Sequence, residues 1–421
     1  MFCIDHLVMV DIAATEDSLI FDFQSVTSPG PGGEGVTGLE AVMQVAHIIL
    51  TDIVWEEDAF ERAKLGLHEY FDSVVKGLET ACQERLTQTL SGGDQRFCTA
   101  NHKQLDALSL EDVRDAVSEQ LAPSRVEISI CGDMSSSVLE KLCLAYLGTV
   151  PSREEKKTSL SSLSTPGLGA QLLARRQSSS EKTEKKEDSP VGAPINTIGV
   201  FLPDSDERSM GYLAGPAPNK YGLWADGTSI QDAMLVGCGK KDRERRSHVL
   251  FPMVALMVLQ EVANRRLFSV VREERQLTYD ASFSLHNHEG VAGGWYQVSV
   301  TSSPSQVQEA LRACREALRS LRGTFGVMGD SVQSAKRTLV NRQRSESQTN
   351  KFWVESMSGV QVSSVPVKGL GVIADFESVL AGITVQDIHR LMEVLVFDER
   401  EMTACVGISS PSPPPEMIFQ Q

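Results

Sequence analysis

The chain has 421 residues, enough for two or three domains at about 150 residues each. Its formal net charge of −16 argues against a general nucleic-acid or anionic-membrane surface. Hydrophobic residues at 41% and charged residues at 23% give an ordinary globular composition, and no apolar run approaches the ~18 residues of a membrane span. Eight cysteines, at positions 3, 82, 98, 131, 143, 238, 314 and 405, include no C-x-x-C pair. That pattern predicts reduced, buried thiols in a non-secretory compartment. Residues Met1 to Leu7 have neither a basic leader region nor a transit-peptide composition, so the chain opens like the middle of a domain.

In chain order, Ile4 to Ala13 and Ser18 to Val26 read as a hairpin, and Ala63, Lys64 and Leu67 lie in a long helix. Ser109, followed three residues later by Asp112, predicts a capped helix, and Val126 to Ile130 a short strand after it. Residues 152–193 are rich in serine, lysine and glutamate and poor in large apolar side chains; they read as a disordered linker. An apolar strand over Thr197 to Leu202 follows. Gly237 to Ser247, with Lys240, Lys241, Arg243, Arg245 and Arg246, reads as a solvated loop. Phe251 to Val271 is a nearly all-apolar helix. Leu277, Tyr279, Ala281, Phe283 and Leu285 alternate with polar residues as a half-buried strand, and Trp295 to Thr301 returns as its partner. Ser303 and Pro304 predict the start of a helix with an apolar stripe from Val307 to Leu321. Thr384 and Asp387 cap another helix before a strand at Met402 to Val406. Pro411 and Pro413 to Pro415 mark residues 411–421 as a flexible tail.

The chain repeats itself at an offset of about 272–275 positions, which pairs Ala63, Lys64 and Leu67 with Ala335, Lys336 and Leu339, and Ser109 and Asp112 with Thr384 and Asp387. Mapped back, the second copy's leading strand and apolar helix find no counterpart before Ile4, so the first copy is expected to lack its beginning. The expected fold class is α+β, with a mostly antiparallel sheet and helices packed on one face in each copy. The expected boundaries are 1–151, incomplete at its N-terminus, a linker over 152–193, a second copy over 194–410, and the tail.

Chemistry-bearing patterns are few. The sequence contains neither H-E-x-x-H nor H-x-x-E-H, no G-x-S-x-G elbow, and no glycine-rich loop placed before a helix. His286 and His288, with Glu289 beside them, sit near a hairpin turn, where solvent-facing histidines are a better reading than a metal site. One constellation stands out. Arg272 ends the apolar helix and Tyr279 lies seven positions on, so a guanidinium and a phenol could converge on a peptide carbonyl and its developing oxyanion. Equally, Arg272 could oppose the helix dipole and Tyr279 fill a core position.

The segment Asn264-Arg-Arg-Leu-Phe-Ser-Val-Val-Arg-Glu-Glu, with Leu277-Thr-Tyr and Gly294-Trp-Tyr-Gln-Val-Ser-Val-Thr-Ser, resembles the C-terminal domain of the pitrilysin/insulinase (M16) zinc metallopeptidases, and within them the plastid precursor-processing members. Asp206-Glu-Arg, Ala214 to Gly222, Val54 to Lys64 and Tyr146-Leu-Gly-Thr-Val carry the same resemblance. It implies repeated α+β domains forming two halves around a proteolytic chamber. The zinc ligands and glutamate base would lie in an H-x-x-E-H of an N-terminal half that this chain lacks, so this chain would bind no zinc. It further implies that Arg272 and Tyr279 bind substrate and the tetrahedral intermediate, that none of the zinc or base residues is present, and that the substrates are extended or unfolded precursor peptides. The expected partner is an N-terminal catalytic half, without nucleic acid or a membrane span, and the expected compartment is the plastid stroma. The other function class kept open is a stand-alone inactive scaffold or partner subunit.

Overall fold

The computed structural model describes residues 2–16, 18–26, 36–122, 126–151, 196–278, 280–288, 291–321, 329–362, 365–395 and 402–412. The proposed linker, most of the proposed tail, Tyr279 and Glu289 lie outside the described residues. Among the described residues no single helix is long and apolar enough to cross a membrane. The chain divides into two compact units. The first takes residues up to Phe71, Ala100 onward to residue 151, and Asn350–Ser358; the second takes Asp72–Thr99, most of the chain from residue 196, and Gly359 onward.

The second unit is built on a five-stranded mixed sheet. Its strands are β3 (Asn196–Pro203), β4 (Arg208–Ala217), β5 (Ala281–Asn287), β6 (Gly294–Ser302) and β7 (Thr403–Ser410), in the order β3-β7-β4-β6-β5. Only β3 and β7 are parallel. The remaining neighbours are antiparallel, β4 with β7, β4 with β6, and β5 with β6. The helix Phe251–Leu267 is apolar around most of its surface because most of it is buried, and only towards its C-terminal end do polar residues from Gln260 to Arg266 appear. Val254, Val258, Leu259 and Val262 join Leu213, Val298, Val406 and Ile408 of the sheet in one core. Around it pack Val307–Ser320, Gly329–Glu346, Phe376–Gly382 and Val385–Leu395. The stripe read from Val307 to Leu321 is buried as expected.

The fold class is α+β, but helices do not keep to one face. The helix Leu78–Ser91 packs against β7, β3 and β4, with Leu78, Cys82, Leu86 and Leu90 set among Met210, Tyr212, Ala214, Trp295 and Cys405. Alternate residues of β4 and β7 therefore enter two different cores, and both strands are buried almost without a break. Gly407 allows this close approach: a Cβ there would lie 2.3 Å from Cys82 Sγ. At the seam, the side-chain amides of Gln83 and Gln297 exchange hydrogen bonds of 3.3 and 3.0 Å. All eight cysteines are free thiols, as expected, but only Cys82, Cys314 and Cys405 are buried and the other five are half-buried.

The first unit holds an antiparallel hairpin, β1 (Met9–Ala14) and β2 (Leu19–Gln24), paired Met9 to Gln24 through Ala14 to Leu19. Its helices are Gly38–Thr51, the first part of Glu57–Lys76, His102–Ala107, Leu110–Gln120, Ser136–Leu142 and Asn350–Met357. The capping box read at Ser109 forms, with Asp112 N donating to Ser109 Oγ and Ser109 N to Asp112 Oδ2. Tyr146 organises the interior polar contacts: its hydroxyl donates to Glu40 and accepts from Gln44, each at 3.0 Å.

Several local expectations change. Val126 to Ile130 is not a strand; it runs without sheet partners and leaves Ile128 46% exposed. Among the described residues no neighbouring strand is present to pair with it. The basic stretch at Gly237 to Ser247 is no loop: Lys240–Arg246 is a helix, because its charges find a buried carboxylate. Leu277 and Thr278 precede β5 rather than open it. The Leu277 amide bonds back to Val271 O at 3.1 Å, and Thr278 Oγ1 donates to Asp280 O at 2.7 Å, so this stretch is a tied connection. The helix after Ser303 begins at Val307, and Ser303 O instead accepts the amides of Gln306 and Val307.

Candidate functional site

Past Leu267 the apolar helix widens into a π-helical turn, Phe268–Glu274, a distortion that recurs at functional positions. Arg272 lies on this turn and is exposed. Its guanidinium sits over the Phe268 ring, 4.9 Å from the centroid, a cation–π contact that orients the group while leaving it in solvent. The chain then reverses at Gln276, whose φ of 53° is left-handed. The Arg275 amide bonds to Val270 O at 3.2 Å, and the Arg275 side chain pairs with Glu309 and Glu316. Thr278 fixes the backbone on the approach to residue 279 through its bonds to Asp280 and Thr301. Arg272 is thus carried on a rigid corner between helix and sheet. Tyr279, predicted to act with it, lies outside the described residues.

Beside this corner an open groove of about 550 Å³ is lined by Asn264, Arg265, Phe268, Ser269, Glu273 and Asp330, among others. Asn264 was not singled out in the sequence, yet it joins the helix to the sheet. Its amide donates to Phe283 O at 3.0 Å and accepts from Phe283 N at 2.6 Å. These bonds occupy part of the open edge of β5 and blunt it against unwanted strand addition. A lone asparagine in an apolar helix is the only sequence signal for this role.

The two histidines do not face solvent as expected; both are half-buried against aromatic rings. His286 lies on β5 with its ring 5.4 Å from Trp295 at 14°, and His288 packs 5.0 Å from Phe97. Burial, and then the neighbouring His288, push the His286 imidazole below its usual pKa. His68 and His102, 34 positions apart, also come together. The structure sets their Nδ1 atoms 2.6 Å apart and places His68 Nε2 3.0 Å from Asp106 Oδ1, a hydrogen-bonded link between two helices. Among the described residues no group of three or more His, Cys, Asp or Glu could hold a metal ion.

Asp387 is a buried and heavily engaged carboxylate. It caps its own helix, accepting from Thr384 N and Thr384 Oγ1, each at 2.8 Å. Its oxygens also take Arg245 Nη1 at 2.5 Å and Arg246 Nε at 2.8 Å. Burial alone would raise its pKa, but Arg245 and Thr384 outweigh burial and hold the carboxyl below its usual range. Lys336 donates to Ala381 O at 2.8 Å, and burial, the larger influence, lowers its pKa although Asp387 opposes the shift.

A mixed five-stranded sheet with this buried helix, and without a metal-ligand set among the described residues, is the architecture of an M16 inactive domain. The chain belongs to the M16 peptidase family: the family model described as the Peptidase M16 inactive domain matches residues 107–339. Among curated proteins it is 33% identical over 427 residues to the chloroplastic stromal processing peptidase of Arabidopsis thaliana, covering 97% of this chain and 32% of that protein. The Pisum sativum protein of the same name is 32% identical over 424 residues, covering 97% and 31%. The chain thus spans about a third of the length of these relatives. Among solved structures, the peptidase M16 inactive domain from Pseudomonas fluorescens superposes with a TM-score of 0.66 at 14% identity, over 96% of this chain and 81% of that one. A protease from Helicobacter pylori gives 0.69 at 12%, over 96% and 82%. These two likenesses establish the fold.

Proposed function

We propose that this chain is the non-catalytic C-terminal half of a zinc metalloendopeptidase that removes transit peptides from precursor proteins in the plastid stroma. Zinc and the glutamate base are supplied by an N-terminal catalytic half. The present chain closes the chamber and holds the extended precursor, with Arg272 and Tyr279 steadying the scissile carbonyl. The observation that carries this reading is the alignment of 97% of the chain with one third of the stromal processing peptidases. The free guanidinium face of Arg272, carried on a rigid corner, supports the substrate role.

The same reading takes residues 1–151 and 194–410 as two related copies, joined by 152–193 and followed by a tail at 411–421. Two devices recur at the repeat offset in support. The capping boxes at Ser109–Asp112 and Thr384–Asp387 correspond. Lys64 donates to Asp106 O and Leu108 O, just as Lys336 donates to Ala381 O.

The test mixes the purified chain with the N-terminal part of the Arabidopsis protein and a precursor substrate. The chain alone should cleave nothing. The mixture should cleave, a chelator should abolish cleavage, and Arg272→Ala or Tyr279→Phe should lower turnover. Chelator-sensitive cleavage by the chain alone overturns the assignment, whereas binding to the N-terminal part without any gain in cleavage supports the inactive scaffold instead.

A further inference from the structure

The first unit holds a titratable contact that the chemistry proposed above does not use. His68 stands on the long helix Glu57–Lys76, and His102 opens the short helix His102–Ala107. Their Nδ1 atoms lie 2.6 Å apart, and His68 Nε2 meets Asp106 Oδ1 at 3.0 Å. The ring planes are 5° apart with their centroids at 4.9 Å. That separation is the gap between the nitrogens plus one ring radius on each side, so the rings meet nitrogen to nitrogen in nearly one plane and do not overlap face to face. A metal ion on that line would need about 4 Å, twice an ordinary zinc–nitrogen bond of ~2.0–2.1 Å. A single hydrogen fits.

Counting hydrogens gives the rule this contact obeys. An ionised carboxylate only accepts, so His68 Nε2 carries the hydrogen that Asp106 takes. In the neutral ring His68 Nδ1 is then bare, and it accepts from His102 Nδ1. One further proton can enter at His102 Nε2 without disturbing this order. When both rings are charged, both Nδ1 atoms carry hydrogen and two donors face each other, which breaks the contact. The charged neighbours are Lys64 and Asp72, one turn to either side of His68, with Glu69 beside it, and on the short helix Lys103 and Asp106. Lys64 is engaged with Asp106 O and Leu108 O, and the uncharged Phe71 ring meets His102 edge-on.

The second unit joins the corresponding helices with fixed charges. At the repeat offset, Glu57–Lys76 matches Gly329–Glu346 and His102–Ala107 matches Phe376–Gly382. There Arg344 donates to both oxygens of Glu377, at 2.7 and 2.8 Å, and holds that carboxyl below its usual range. Such a pair keeps both charges across about pH 5–8, the interval in which histidine as a residue type changes its own.

We propose that His68, His102 and Asp106 form a proton-operated latch, which docks the helix His102–Ala107 on Glu57–Lys76 near neutral pH and releases it on acidification. The docked pair takes up one proton beyond its neutral state and the released pair takes up two, so acid favours release. Leu105, 3% exposed, is the apolar anchor that release uncovers. A helix of six residues does not hold itself together in water, so its amides report the docking. The latch does not depend on the catalytic reading.

Hydrogen exchange on the 421-residue chain tests it. With the intrinsic effect of pH on exchange removed, protection of the Leu105, Asp106 and Ala107 amides should fall between about pH 7.5 and about pH 5. The fall should be about tenfold, the net worth of one hydrogen bond, and Gly38–Thr51 in the same unit should not follow it. His102→Gln presents either an amide hydrogen or a carbonyl oxygen to His68 and never charges, so it should keep the helix docked at both pH values. The double substitution His68→Arg with His102→Glu, a fixed-charge pair like that of the second unit, should do the same. Equal protection at both pH values in the parent chain overturns the latch, and so does a fall that persists undiminished in these variants. Imidazole nitrogen shifts of the parent chain give a reading that needs no variant to fold. Near neutral pH His68 should carry its hydrogen on Nε2, and a mixture of its two tautomers overturns the proposal.

Discussion

Replacing Asp387 by alanine removes one carboxylate that four donor groups share. Thr384 would lose the capping interaction to its amide and hydroxyl, and Arg245 would lose its partner at 2.5 Å while keeping Asp242 at 2.9 Å. Arg246 is worse placed. Its side chain is 6% exposed, and only the bond to Met234 O at 2.7 Å would remain. Leaving a buried guanidinium without its counter-charge costs about 3–5 kcal/mol, a large fraction of the ~5–15 kcal/mol that holds a domain together. With a urea m-value of about 2–3 kcal/mol per molar, the midpoint should fall by about 1–2 M. Buried Trp224 and Trp295 report the second unit by fluorescence. Asp387→Asn should be nearly as harmful, because its amide nitrogen would face donors.

The companion substitution is Asp112→Ala, at the corresponding capping box in the first unit. Asp112 is fully exposed and has no arginine partner; its carboxyl is held down only by Ser109. Its loss should fray one helix locally. Asp387 should also impose a pH dependence. A carboxyl lowered in the folded state contributes its full stability above the usual carboxylate range, near pH 4, and loses it as pH falls through the lower folded value. The gap between parent and Asp387→Ala should therefore persist from neutral pH to about 4 and close below it. Equal, small midpoint shifts for the two substitutions would refute the argument that the arginines, and not the cap, set the cost.

Gly407→Val should detach the helix Leu78–Ser91 from the sheet, since its Cβ would stand 2.3 Å from Cys82 Sγ and 3.0 Å from Leu78 Cδ1. The cost should be about 1–3 kcal/mol in chemical denaturation, with faster exchange in that helix. His286 is pushed down by burial, so the unfolded chain takes up its proton first on acidification. Stability is present above about pH 6.5 and declines below it, and His286→Gln should flatten that limb of the profile. Asn264→Ala should free the Phe283 amide and carbonyl, raising exchange in β5 and the tendency to self-associate in sedimentation.

Local patterns were legible because their causes are local. Alternation located β5 apart from its start, the return after a turn located β6, a helical stripe located Val307–Ser320, and the Ser109 and Thr384 boxes form as their spacing requires. What sequence missed depended on partners far along the chain. Arg245 and Arg246 read as solvated until Asp387, more than 140 positions away, is brought against them. The second helical layer had a trace that went unused. Met210 to Ala217 carries no charge and no clean alternation, which marks a strand buried on both faces rather than one. Of the candidate site, Arg272 could be placed at a helix end, and its four-residue spacing from Phe268 was a local signal for the ring contact; the π-helical widening left no trace in the sequence pattern.

Val126 to Ile130 carries this point furthest. Its composition is that of a strand, and its counterpart β7 is one, yet here it stays unpaired. Strand propensity measures how well a side chain fits a half-buried sheet, and a backbone becomes a strand only when a neighbour accepts its hydrogen bonds. The same repeat that predicts a strand therefore also predicts where it fails. It fails in the first unit, where no strand lies beside it among the described residues.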